Sequence, residues 1–304
     1  MAATPAHLTQ FGAIKTLELI AALLPRPLGL RAGAGLGSLL YRCGFLRPIV
    51  DANLDWTHTE TGCGRESLVH NLYCNLGRYT ADFLQPHHRQ LPFDNDHREL
   101  LNELFARKRG ILVVLAHLGN WEAIAAIFGR RIPGSHAVAQ QMNNPLTQRW
   151  LAKRRARTGI TEINKHNALR PVIRCLRANQ MVGLLIDQHP GKHGSPAPFL
   201  GQRAATVRSV AGLVRSTGAP VLLACALLKP DRSYHIRAEA GRVLDLCPND
   251  DADGFIEAYQ EEHNNVLSRW IREFPEHYFG WFHKRFKGEL RYPDSSSRRR
   301  SGSY

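Results

Sequence analysis

The stretch Ile111-Leu112-Val113-Val114-Leu115-Ala116-His117-Leu118-Gly119-Asn120-Trp121-Glu122 decides the fold. Its apolar start follows Arg107-Lys108-Arg109-Gly110 and reads as a short, fully buried strand. The run stops at His117, and Gly119-Asn120 break the chain. Asn120 is a favoured N-cap for a helix over 121–128. His117 is therefore expected at the carboxyl end of a strand, with Glu122 in the first turn of the next helix. In α/β proteins that strand-end crevice is where ligands bind. Across so short a loop the imidazole and the carboxylate are expected to meet. A carboxylate on one ring nitrogen fixes the tautomer and leaves the other as a general base. The plain alternative makes His117 a polar strand cap and Glu122 an acid complementing the helix dipole, so the rest of the chain has to decide.

With 304 residues, 43% apolar and 22% charged, the chain has the composition of an ordinary globular protein with a sizeable core. Forty Lys and Arg against 26 Asp and Glu give a net charge of +14, which favours an anionic partner: nucleic acid, an anionic membrane face, or acidic substrates and carriers. The cysteines, Cys43, Cys63, Cys74, Cys175, Cys225 and Cys247, are scattered with no C-x-x-C pair. That argues against a disulfide framework or a zinc site and suits a reducing compartment.

Residues 8–46 raise the membrane question. An apolar helix carrying Phe11, Ile14, Leu17, Leu19, Ile20, Leu23 and Leu24 is interrupted by Lys15 and Glu18 and ends at Pro25-Arg26-Pro27. A second apolar segment, 28–46, contains Arg31 and Arg42. Neither is an uninterrupted spanning stretch, and no basic n-region or cleavage site marks a signal peptide. A kinked pair of helices lying in, or dipping into, one leaflet is expected, compatible with packing on the domain that follows. The division is thus 1–47, a membrane-associating helical segment; 48–293, the main domain; and 294–304, a disordered basic tail.

Within the domain, a helix over 66–84 places Leu68, Leu72, Leu76, Tyr79 and Phe83 on a core face, and 99–108 forms another. Residues 135–142 read as a second strand, ending at Asn143-Asn144-Pro145, where Asn144 caps a helix over 146–157. That helix carries Arg149, Lys153, Arg154 and Arg157, either a solvated basic face or an anion site. A helix over 167–178 precedes a third strand, 181–186, ending in Asp187-Gln188-His189-Pro190-Gly191-Lys192. A loop over 193–201, a helix over 206–217, a strand over 219–228, an edge strand over 234–240 and a long helix over 253–274 complete the order. This is an α/β fold with a largely parallel central sheet flanked by helices. His117, Asn144 and Asp187, at successive strand ends, are expected in one crevice.

On those residues the chain resembles the lysophospholipid and lipid A acyltransferase superfamily, and within it the late acyltransferases that add secondary chains to lipid A. Four blocks carry the resemblance in order: the H-x4-[D/E] signature from His117 to Glu122; Asn144-Pro145 before the basic helix; Asp187-Gln188 followed by Pro198-Phe199-Leu200-Gly201 and Ala204-Ala205-Thr206; and the aromatic and basic block of residues 275–287. Gln140-Gln141-Met142 stand where many lauroyl- and myristoyltransferases have a Tyr-Arg-Pro-type stretch. The resemblance implies a glycerol-phosphate-acyltransferase-like fold with an N-terminal apolar membrane anchor. It implies an O-acyltransferase moving a chain from an acyl carrier protein, or acyl-CoA, to a hydroxyl of an anionic lipid, with a lipid A precursor ahead of other glycolipids or lysophospholipids.

In that reading His117 is the general base and Glu122 its orienter. Asn120, Arg149, Arg154, Arg157, Asp187, Gln188 and Lys192 contact substrate, and backbone N–H groups after His117 or arginine side chains hold the oxyanion. No metal or other cofactor is called for, and the implied location is the cytoplasmic face of a bacterial inner membrane. A non-catalytic lipid- or carrier-binding protein is the competing class. Nucleic-acid binding rests on charge alone, with no recognised module behind it.

Overall fold

The structure, a computed structural model, describes residues 3–59, 62, 64–86, 90–95, 97–246 and 251–293. Cys63, Cys247, His87, His88 and the tail from residue 294 lie outside the described residues.

Four helices come first: α1 (Pro5–Leu23), α2 (Arg26–Arg42), α3 (Arg47–Trp56) and α4 (Arg65–Leu84). The alternating part begins with β1 (Phe93–Asp94), α5 (Arg98–Ala106), β2 (Ile111–Leu115), α6 (Trp121–Arg131) and β3 (Ser135–Ala139). It continues through α7 (Pro145–Ala156), β4 (Ile160–Asn164), α8 (Leu169–Arg177) and β5 (Met181–Leu185). A hairpin, β6 (Gly194–Phe199) and β7 (Gln202–Val207), leads to α9 (Ser209–Thr217), β8 (Val221–Leu228) and β9 (Tyr234–Ala240). The short α10 (Val243–Leu246) and the long α11 (Ala252–Glu273) complete the fold.

Seven strands form one sheet in the order β1-β9-β8-β2-β5-β3-β4, and only the β8–β9 pairing is antiparallel. The expected mixed α/β architecture is therefore present. Every residue of β2 is buried, and so is β8 up to its last residue, which accounts for their unbroken apolar sequences.

Several expectations were corrected. Residues 160–164, between the helices expected over 146–157 and 167–178, form an additional strand, β4, at the sheet edge. The expected loop over 193–201 is half of an antiparallel hairpin, and its other strand, 202–207, takes in residues 206 and 207, where a helix was expected to open. The second strand stops at Ala139 rather than 142. Residues 234–240 lie one position in from the edge, because β1 pairs outside them.

Chain direction fixes which helix covers which face. The steps β2 to β3 and β3 to β4 run one way across the sheet, and those from β4 to β5 and β5 to β8 run back. Right-handed crossovers then place α6 and α7 on one face and α8 and α9 on the other. Arg155 of α7 reaches Glu162 of β4 at 2.6 Å, which identifies the α7 face. Glu162 is in register with Ala137, and Ala137 with Gly183, which pairs with Val113. These side-chain positions therefore share that face. The β3–β5 ladder consists of only two pairs, His136 with Val182 and Ala137 with Gly183, so the carboxyl ends of these neighbours are not hydrogen-bonded to each other.

The N-terminal helices are joined to this body. A Cβ on Gly77 of α4 would lie 1.9 Å from the carbonyl oxygen of Gly33, and one on Gly37 would lie 2.0 Å from that of Tyr73. The glycines let α2 and α4 pack backbone against backbone. Helix α1 is tied to α7: Asn144 donates to the His7 carbonyl at 2.9 Å, and Arg154 bonds Glu18 at 2.9 Å. Among the described residues no helix is long and apolar enough to cross a membrane. The outer sides of the pair nonetheless expose Leu8, Leu17, Leu19, Ile20, Leu23, Leu28, Leu36 and Leu39, with Leu23 75% exposed.

Candidate active site

Beyond β2 the chain turns sharply because its backbone is clamped from two directions. The Asn120 N–H donates to Ala226 O at 2.8 Å, at the end of β8. The Gly119 N–H donates to His277 O at 2.9 Å, and Phe279 N–H returns to His117 O at 2.7 Å. Gly119 has φ of +69°, and a Cβ there would fall 2.2 Å from Ala226 O. Only glycine satisfies both the left-handed backbone and the close approach. Asn120 caps α6 as its sequence suggests, accepting from Ala123 N at 3.0 Å. Its amide also donates to Tyr234 Oη, which donates to Asp82, and Asp82 takes Arg26 bidentately. Asn120 is thus a buried structural link rather than a group lining the cavity.

His117 and Glu122 are not paired. Asp187, at the end of β5, accepts from His117 Nδ1 at 2.8 Å and from the His117 backbone N–H at 2.9 Å. The Asp187 side chain is fully buried and that of His117 is 14% exposed. Burial acts to lower the imidazole pKa, but the Asp187 charge and hydrogen bond outweigh it and raise the pKa above its ordinary value. Burial acts to raise the Asp187 pKa, and the fields of His117 and Arg285 bring it below the usual carboxylate value. Nδ1 is thereby committed as a donor, leaving Nε2 as the ring's acceptor. Gln188 Nε2 lies 3.5 Å from that nitrogen and 3.3 Å from His283 Nε2. The His117 ring sits edge-on to Trp121 at 4.9 Å and 5.3 Å from the His283 ring.

Glu122 instead forms an ion pair with Arg155, which also holds Glu162. Burial acts against the Arg155 charge, and the two carboxylates reverse that effect and raise its pKa. Glu122 was expected to face His117 because the two are near in sequence. Beginning α6 turns it towards α7, on the covered face of the sheet.

His117, Trp121, Glu122, Arg155 and Gln188 share the wall of a cavity of about 1400 Å³. On the α7 face its sides are apolar: Val113 and Leu115 of β2, Leu185 of β5, and Ile124 and Phe128 of α6. Its other wall comes from α8 and α9, including Val172, Val210 and Leu213. Gly183 lies at mid-sheet with nothing nearer than 3.7 Å to where its Cβ would be. A polar mouth above a long apolar interior suits a hydrocarbon chain with a reactive end.

The other expected site residues are scattered. Arg154 is buried and bonds Glu18 and the Gln85 carbonyl, a structural tie to α1. Arg154 and Arg157, with Lys15 of α1, line a separate cleft of about 630 Å³ between α1 and α7. Arg149 and Lys192 are exposed. Asn144 is spent on capping α7 and on α1, outside the crevice. The Gly119 and Asn120 N–H groups, expected as oxyanion donors, are bound to carbonyls. Arg155 and His283 were not anticipated. Arg155 lies within the basic helix and His283 within the aromatic C-terminal block, where no local pattern singles either out. Among the described residues no cluster of three or more His, Cys, Asp or Glu side chains is placed to hold a metal ion.

Comparison with known proteins agrees with this architecture. Over 275 residues the chain is 29% identical to the lipid A biosynthesis lauroyltransferase of Escherichia coli (strain K12), covering 87% of each protein. Residues 5–288 match the family described as bacterial lipid A biosynthesis acyltransferase. A match of that extent identifies the protein as an acyltransferase belonging to the bacterial lipid A biosynthesis acyltransferase family.

Proposed function

We propose that the protein is a membrane-associated O-acyltransferase that moves a fatty acyl chain from an acyl thioester to a hydroxyl of a lipid A precursor. The observation that carries this reading is the His117–Asp187 pair at the mouth of the apolar cavity. The acyl chain occupies the cavity with its thioester beside His117. Nε2 takes the proton of the acceptor hydroxyl as its oxygen attacks the thioester carbonyl. The tetrahedral oxyanion is stabilised by the Arg155 guanidinium, which Glu122 and Glu162 orient, and by the Gln188 amide. Collapse breaks the carbon–sulfur bond, and the departing thiolate takes the proton from Nε2. Glu122 thus acts through Arg155, as a positioning residue.

The acceptor approaches from the α1–α7 side. The exposed leucines of α1 and α2 enter one leaflet of the cytoplasmic face of the inner membrane, as an in-plane anchor. Lys15 and Arg157, in the cleft beside them, meet an anionic headgroup. A lauroyl chain is suggested by the name of the E. coli relative. The test is mass spectrometry of lipid A and total lipids from cells with the wild-type protein, with His117→Ala, or with neither. One added acyl chain per acceptor is expected only with the wild type. Undiminished acylation in His117→Ala would refute the mechanism.

A further inference from the structure

Between Ile163 and Leu228 the chain carries eight Lys and Arg against a single acid, Asp187, which is buried against His117. Four of these cations lie along α8 and its entry, and a fifth follows β5. Lys165 precedes α8, Arg170, Arg174 and Arg177 lie on α8, and Lys192 follows β5; all five are exposed. Arg170, Arg174 and Arg177 recur at the three- and four-residue spacings that put them on one helix stripe. Elsewhere on this surface cations are neutralised, as in Arg203–Glu289 and Arg208–Asp253. Among the described residues these five have no carboxylate partner. In their midst Leu169 is 58% exposed, an apolar point within a cationic field. Residues 165–170 and Arg174 border the same cavity whose other end holds His117.

The sheet separates this surface from the membrane-facing helices. α1 is fastened to α7 on one face, whereas the return crossover puts α8 on the other. A lipid acceptor reaching the cavity from the α1 side leaves the α8 side open to solvent. Whatever binds there is therefore soluble, anionic, and able to reach into the cavity.

We infer that the α8 face is the docking surface for the acyl donor, an acidic acyl carrier protein whose phosphopantetheine arm enters the cavity beside α8. This rests on the function proposed above and adds the partner and its site. Arg170, Arg174 and Arg177 meet acidic side chains of the carrier, and Leu169 seats in an apolar recess of its surface. Such complementarity raises the association rate and is screened by salt. Coenzyme A shares the phosphopantetheine thioester but not the acidic protein surface, so it separates the two contributions.

The test compares the wild type with Arg170→Glu/Arg174→Glu and with the milder Arg170→Gln/Arg174→Gln. It measures kcat/KM for lauroyl-loaded carrier protein and for lauroyl-CoA, and binding of fluorescently labelled carrier by anisotropy. In the charge-reversed protein the carrier-to-CoA ratio of kcat/KM is expected to fall at least about ten-fold, with the glutamine variant intermediate. Carrier binding should weaken in step, and the wild-type advantage should shrink as salt rises. An unchanged ratio, or equal losses with both donors, overturns the proposal. So does a variant that loses affinity for anionic phosphatidylglycerol vesicles while its ratio stays constant, since α8 would then face lipid. If the wild type transfers acyl groups from neither donor, the function reading fails, and the anisotropy comparison still decides the docking surface.

Discussion

Asp187→Asn isolates the contact on which the mechanism depends. Asp187 accepts two hydrogen bonds, from His117 Nδ1 at 2.8 Å and from the His117 backbone N–H at 2.9 Å. Asparagine keeps one acceptor oxygen, which the backbone N–H retains. Its amide nitrogen then faces Nδ1 and donates to it, which places the ring proton on Nε2. The nitrogen facing the acceptor hydroxyl is no longer basic. Relative to the wild type, the productive tautomer has then lost its hydrogen bond to a charged group, worth about 1.5–3 kcal/mol, or roughly a 10- to 150-fold loss in kcat. The pH profile adds a signature of its own. With His117 as the base, activity is expected to rise with pH as His117 loses its proton, and Asp187 holds that pKa above the ordinary value against the opposing effect of burial. Without the charge only burial remains, so the rising limb moves towards acid while its plateau falls. The assay is acyl transfer from a lauroyl thioester between pH 5 and 9, with thermal melts to verify folding. A plateau within two-fold of the wild type, or a limb displaced towards alkali, would refute the pairing of Asp187 with a basic Nε2.

Gly183→Val places a branched side chain on the cavity face shared with Val113 and Ala137, where a Cβ meets nothing closer than 3.7 Å. The preferred donor should shorten by about two carbons, because packed interiors respond to a single methylene; competition among C8 to C16 thioesters reads this out, and an unshifted preference would remove the chain from this part of the cavity. Stability should also fall in acid. His263 and His277 are held neutral by burial, with pKa values lowered to about 4. The unfolded chain binds these protons near pH 6.5, so the contribution is complete above that value and disappears as pH approaches 4, at about 3 kcal/mol for each histidine. Urea midpoints measured from pH 7 to 4.5 should decline, and a flat profile would contradict the assignment.

The sheet's centre was readable because β2 and β8 are buried apolar runs and β5 a half-buried one, whose composition admits little else. The polar residues that end β2 and β5 were also legible as a crevice, since a strand end is a local feature. What failed was pairing. Glu122 is near His117 in sequence, but Asp187, seventy residues away, is its partner in space. Side-chain pairs across neighbouring strands depend on strand order, which a crossover sets and local pattern does not encode. β4, with the sequence ITEIN, is too short and too polar to stand out from a connection. The β6–β7 hairpin was hidden by Pro196 and Pro198, which a two-stranded ribbon tolerates along its free edge.

The chain of contacts from Asn120 through Tyr234 and Asp82 to Arg26 bears on how the protein can be divided. Removing the first helices to obtain a more soluble enzyme would delete Arg26 and strand the carboxylate of Asp82 in the interior. It would also strip the glycine-lined flank of α4 of its cover. The leading segment is therefore no detachable tether. The N-terminal helices and the loop that presents His117 belong to one cooperative unit, inherited and lost together.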